Sequence, residues 1–200
     1  MERFYFEIPN IFRKEDAIDY MKEFFEYNSN INGAGGLSRY RDNYEGWLEK
    51  LEEDYNRVTN EEKVPARTFF FVRENDNKIV GMINIRLDLN EEYKNKYGHI
   101  GYGIRPTERG KGYNKINLYL GLKVCYKHGI NEILMSADID NPASWRTIES
   151  VKGKRIRESG DNENPNSVTV MYHIDVKKSL EDHKEIENRI VGSKMDEIFN

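Results

Sequence analysis

Between residues 105 and 114 the chain reads Arg-Pro-Thr-Glu-Arg-Gly-Lys-Gly-Tyr-Asn, and these residue types at this spacing suit the binding of an anion. Gly110 and Gly112 carry no Cβ to hold an oxyanion off the main chain, while Arg109 and Lys111 bring positive charge beside them. A helix starting at once, over residues 112–128 with Gly129 as its stop, places unpaired amides and the positive end of its dipole at the same spot. Together these groups fit a diphosphate. The spacing disfavours two nucleotide loops. A dinucleotide fingerprint begun at Gly101 meets Pro106 where it needs glycine, and one begun at Gly110 meets Lys115. A mononucleotide P-loop needs Ser or Thr after Gly110-Lys111 and an earlier glycine, but Gly112 and Arg105 occupy those places.

Such a turn must be fed by a strand. Residues 99–105 supply one, and Pro106 ends it by removing a ladder donor and disfavouring helix at Arg105. Upstream, Phe4, Phe6 and Ile8 alternate as a first strand, and Ala17, Ile18, Met21, Phe24, Phe25 and Tyr27 follow at helical spacing. The glycines of residues 32–36 predict a flexible or tightly turned loop before a second helix carrying Trp47, Leu48, Leu51 and Tyr55. Residues 68–73 and 78–89 form a hairpin around 74–77. Downstream come a strand at 132–137, a turn with Asn141 as N-cap, a helix over 143–151, and strands at 155–157 and 168–174 joined by a polar loop at 159–166. Beyond Val176 the pattern supports a weakly amphipathic helix.

Two hundred residues at 38% hydrophobic and 12% aromatic suit one globular domain, here residues 1–176, with 177–200 as an extension that caps the sheet, pairs with another subunit or stays mobile. A net charge of −4 spread along the chain disfavours a nucleic-acid reader. The single cysteine, Cys125, reads as a small core residue in a reducing compartment. No apolar run approaches the roughly 20 residues of a membrane span, and the N-terminus lacks a signal-peptide pattern. The expected setting is cytoplasmic, and no metal-ligand set stands out.

The order strand, Arg-Pro-Thr-Glu-Arg-Gly-Lys-Gly-Tyr, helix, strand, then Asn141-Pro142-Ala143-Ser144 resembles the GCN5-related N-acetyltransferase (GNAT) superfamily over residues 3–175. That family's signature (Gln or Arg, two residues, Gly, one residue, Gly or Ala) aligns with Arg109, Gly112 and position 114. Asn114 departs from it, adding either bulk or a further hydrogen bond. Residues 33–37, 81–86, 98–102 and 147–149 resemble a bacterial branch of predicted acetyltransferases that brings no substrate with it. The resemblance implies an α/β fold whose mixed, mostly antiparallel sheet is flanked by helices and splayed where acetyl-CoA enters. It implies a cofactor cradle of Arg109, Gly110, Lys111, Gly112, Tyr113 and Asn114. The pantetheine arm would pair with the main chain near Ile104 and Arg105, and Asn141 and Ser144 would touch it from the next helix.

The implied reaction moves acetyl from acetyl-CoA to a primary amine of a small molecule or peptide by direct attack in a ternary complex. Positioning and backbone donors then supply most of the acceleration. Many members place a tyrosine acid seven residues after the asparagine, but that position is Ile148. Tyr102 and Tyr172 are the substitute acids, and His99 is a candidate base beside its plainer reading as a hydrogen-bonded strand histidine. Glu91 and Glu92 read as solvated loop charges, Trp47 and Trp145 as packing anchors, and His128 and His183 as surface residues. The expected partners are acetyl-CoA, an amine acceptor and, in a homodimer, a second copy. The rival reading is a non-catalytic CoA-binding regulatory module.

Overall fold

The computed structural model describes residues 1–160 and 168–199. Four strands pair antiparallel in chain order: β1 (Phe4–Glu7), β2 (Ala66–Arg73), β3 (Lys78–Arg86) and β4 (Ile100–Ile104). A second antiparallel sheet is ordered β5 (Glu132–Asp138), β7 (Val168–Asp175), β6 (Lys154–Gly160). The splay expected from sequence is therefore a division into two sheets. The polar loop expected at 159–166 begins within β6, and the rest of it lies outside the described residues.

β2 is apolar on both faces because both are covered. Phe69 and Phe71 meet Phe6 and Phe4, with ring centroids 5.2 and 4.9 Å apart, and Phe4 in turn meets Tyr113 at 4.8 Å. Phe70 points the other way, 6.0 Å from Trp47. Tyr113 opens α4 (Tyr113–Lys127), which packs on β3 and β4, while Trp47 belongs to α2 (Tyr44–Tyr55), which packs on β2 from the other side, and α1 (Lys14–Glu26) packs on β3. Cys125 is wholly buried in α4, and burial pushes its thiol up to about 12. Asn43 and Asn90 cap α2 and α3 (Glu91–Lys96), so Glu91 and Glu92 sit in a short helix's first turn, where acidic charge is favourable, and not in a loop.

The C-terminal segment is more than one weak helix. α6 (Val176–Asp182) packs on α4, and α7 (Gly192–Phe199) packs on β1. Between them, Ile190 forms a parallel bridge with Phe4, and the Val191 N–H donates to Phe4 O at 2.9 Å. His183, expected at the surface, is buried with Nδ1 2.9 Å from Ser179 O.

The two sheets meet at the start of β4. Gly98 bridges Met135, the His99 N–H donates to Leu134 O at 2.7 Å, and the Leu134 N–H donates to His99 Nδ1 at 3.0 Å. A Cβ on Gly98 would lie 2.2 Å from Leu134 O, so only glycine permits this approach. Burial pushes the imidazole down to about 4, in keeping with a ring that must stay neutral to accept the Leu134 bond. Because the folded value lies below the ordinary 6.5, the unfolded chain binds the extra proton. The contribution is complete above pH 6.5 and is lost as pH falls towards 4, a change of about 3 kcal/mol. Urea unfolding across this window should show it. His99→Gln, which can accept the same bond without titrating, should flatten that part of the acid dependence.

Candidate active site

Beyond the seam, β4 and β5 are not paired. The Arg105 N–H bond to Val80 O fixes the β3–β4 alternation, which turns the main-chain groups of Tyr102 and Ile104 away from β3. A cleft of about 850 Å³ opens there. Tyr102, Gly103 and Ile104 line one side, α5 (Pro142–Glu149) contributes Ala143, Ser144, Arg146 and Thr147, and the segment after α1 adds Asn28, Ser29, Asn30 and Asn32.

That last segment is fastened to the sheet by close contact. A Cβ on Gly33, whose φ is +72°, would fall 2.4 Å from Tyr102 Cα. α2 holds the loop from behind, where Trp47 Nε1 donates to Ala34 O and Gly35 O, both at 3.2 Å, and Lys50 Nζ donates to Gly35 O at 3.0 Å. The glycines of residues 32–36 thus form the tightly turned alternative.

After Ile104 the chain makes a 3-10 turn over Pro106–Glu108, then passes through Gly110 and Gly112 at φ +76° and +75°. A Cβ at either glycine would meet nothing within 4 Å, so the space before the main chain is open. Gly112 is the N-cap of α4 and no side chain caps it. The helix's first amides are thus left for an external acceptor, whereas Asn141 caps α5 by accepting the Ser144 N–H at 3.2 Å. An open glycine turn beneath an uncapped helix fits a diphosphate.

The cations around the turn differ in their availability. Arg109 lines the cleft, with Nε on Ile104 O at 3.1 Å and Nη2 on Ser29 Oγ at 2.7 Å. Lys111 is exposed, lies outside the lining and pairs with Glu108 at 2.8 Å. Glu108 is buried and also takes Arg73 at 2.8 Å. Burial opposes its ionisation, but hydrogen bonds from Lys111 and Arg73 outweigh that and hold the carboxyl below its usual range.

Of the residues expected at the cofactor, Ile104, Arg109, Gly110, Gly112, Tyr113, Asn114, Asn141 and Ser144 share this cleft. Arg105 does not. Its N–H is given to Val80 O, its carbonyl accepts the Glu108 N–H at 2.9 Å, and its buried guanidinium pairs with Asp19 at 2.8 Å and Glu23 at 3.0 Å. It clamps the end of β4 to α1. Among the catalytic candidates, Tyr102 lines the cleft, its hydroxyl 3.1 Å from Ser144 O and 3.2 Å from Ser144 Oγ. Tyr172 is buried outside the lining, its hydroxyl 3.4 Å from a Glu149 carboxylate oxygen, and His99 is held in the seam. Ile148 points into the core, while its neighbour Thr147 faces the cleft. Arg146 and Thr147 share Ala143's helix face, which their spacing could have revealed. Ser29 reaches the site through a loop crossing that no sequence pattern encodes.

The sequence profile described as the Acetyltransferase (GNAT) family matches residues 15–153. The chain belongs to the GNAT family. It is accordingly an acyl-CoA-dependent N-acyltransferase. No curated protein sequence matches it. Among solved structures, it resembles the ribosomal-protein-S5-alanine acetyltransferase of Vibrio fischeri at TM-score 0.65 and 14% identity, covering 87% of this GNAT chain and 93% of that one. It resembles mutant forms of the Vibrio cholerae spermidine/spermine N-acetyltransferase at 0.61 and 13%, covering 90% and 98%. A dodecameric spermidine N-acetyltransferase structure from the same organism gives 0.60 and 12%, covering 90% and 98%. At these identities the likeness is one of fold. No helix among the described residues of this GNAT chain is long and apolar enough to cross a membrane.

Gly112→Val tests the cradle. The positive φ should cost about 1–2 kcal/mol of stability, whereas the branched side chain should weaken CoA binding more than about tenfold by filling the ligand's space. Titration calorimetry beside thermal unfolding separates the two effects, and parental CoA affinity in the variant would count against a diphosphate at this turn.

Proposed function

We propose that this GNAT protein moves acetyl from acetyl-CoA to a primary amine of a small molecule or peptide, by direct attack in a ternary complex. The observation that carries this reading is the placement of the Tyr102 hydroxyl against Ser144, in the same cleft that ends at the uncapped turn of α4. The amides from Gly110 to Asn114 and the Arg109 guanidinium would hold the diphosphate. Main-chain groups of Tyr102 and Ile104, with Asn141 and Ser144 opposite, would align the arm. Bound acetyl-CoA supplies an activated acyl carbon and a thiolate leaving group.

Tyr102 then has one suitable role. Burial holds its hydroxyl above the ordinary tyrosine range, so it stays protonated and does not act as base, and the proton it donates to Ser144 O would turn to the departing sulfur as charge develops there. His99 is already engaged by Leu134, so we assign removal of the ammonium proton to water in the open end of the cleft. Two of the similar structures carry names specifying spermidine/spermine and ribosomal-protein alanine as acceptors. Both are primary amines, the class proposed here. The dodecameric relative is in keeping with a homo-oligomer, and the buried lone thiol of Cys125 with a reducing cytoplasm.

Thiol release measured across a panel of amines tests the acceptor class, because tight CoA binding without turnover on any primary amine would contradict it. Under the proposed reading, Tyr102→Phe should lower kcat by about 10²-fold and leave KM for acetyl-CoA within about twofold. An unchanged kcat would remove Tyr102 from the chemistry.

A further inference from the structure

Asn114 stands where the family signature has Gly or Ala, and the structure gives its side chain a specific setting. It is the second residue of α4 and lines the cleft. One turn on, Asn117 donates from Nδ2 to Asn114 Oδ1 at 3.3 Å. Asn117 is wholly buried, and its own Oδ1 has no hydrogen-bond partner. A leucine of similar volume would suit a helix face packed on β3 and β4 better than a half-satisfied carboxamide. The polar pair therefore calls for a use other than stability.

Asn43, Asn90 and Asn141 each turn their oxygen to the first amides of the helix they cap. Asn114 is already inside its helix, and its oxygen is taken by Asn117. A planar carboxamide held by its oxygen presents its NH₂ on the other side. Here that leaves the two N–H donors for the wall of the cleft, the polarity an anion requires.

We propose that Asn117 orients Asn114 so that Asn114 Nδ2 donates to a diphosphate oxygen of CoA, adding a side-chain donor to the backbone cradle. Asn114 is the binding residue and Asn117 a positioning residue that acts through it. The assignment rests on the CoA reading above and deepens it.

Titration calorimetry of CoA against the parent, Asn114→Ala, Asn117→Leu, the double variant and Asn114→Asp tests it, with melting temperatures of the ligand-free proteins alongside. Asn114→Ala should weaken CoA about tenfold, as expected for losing a hydrogen bond to a charged group. Asn117→Leu should weaken it about threefold or more while the ligand-free melting temperature holds or rises, an outcome that a merely structural role for Asn117 does not give. The double variant should bind no more weakly than Asn114→Ala alone, since both act through one contact. Asn114→Asp, which faces the phosphates with a carboxylate, should lose more than about tenfold. Parental affinity in Asn114→Ala, or losses that simply add in the double variant, would overturn the assignment while the CoA reading stands. Failure of the parent to bind CoA would overturn both.

Discussion

The site depends on β4 and β5 meeting at one end and staying apart along the rest. At the seam, a glycine with no room for a Cβ and a neutral histidine that accepts a main-chain N–H bring the two sheets into contact. Past it, the antiparallel pairing with β3 leaves the main-chain groups of Tyr102 and Ile104 turned outward. Exposed strand edges tend to recruit another strand. In this fold the edge forms the wall of a cleft, and on the proposed reading an extended ligand takes the place of the strand.

The surrounding elements keep that edge straight and open. Arg105 and Thr107 tie the end of β4 to Glu23 on α1, at 3.0 Å for the ion pair and 2.8 Å for the Thr107 amide. Glu108, buried beneath the turn, gathers Arg73 and Lys111. The turn's shape is therefore fixed by charges that largely satisfy one another. On the proposed reading, anion affinity is left to the uncapped amides and Arg109. The C-terminal segment strengthens the same region from outside, because Glu187 accepts from Tyr119 at 2.9 Å and pairs with Lys123 at 2.8 Å, both on α4.

Much of this was legible in the sequence, because it is local. Alternation and helical spacing placed most of the strands and helices, and the Arg-Pro sequence with its two glycines marked the open turn that precedes α4. Asn141 was visible as an N-cap because an Asn-Pro pair before an apolar face has few other uses. Where the sequence left alternatives open, tertiary geometry separates them. Arg105 looked like a cofactor contact from its place in the motif, yet the parity of the β3–β4 ladder turns its amide inward and burial commits its side chain to α1. His99 and Tyr172 are residue types that often act in catalysis, and only the pairing of sheets shows one in a seam and the other in the core. The Asn114–Asn117 pair is spaced for a helical contact, but its burial and free oxygen belong to the packed structure alone.

A crystal structure of the protein with CoA is the most direct test of this account. The account predicts diphosphate oxygens within hydrogen-bond distance of amides between Gly110 and Asn114, with the pantetheine arm running between Ile104 and the N-terminus of α5. A diphosphate bound elsewhere, or an arm that leaves the edge of β4 untouched, would contradict it.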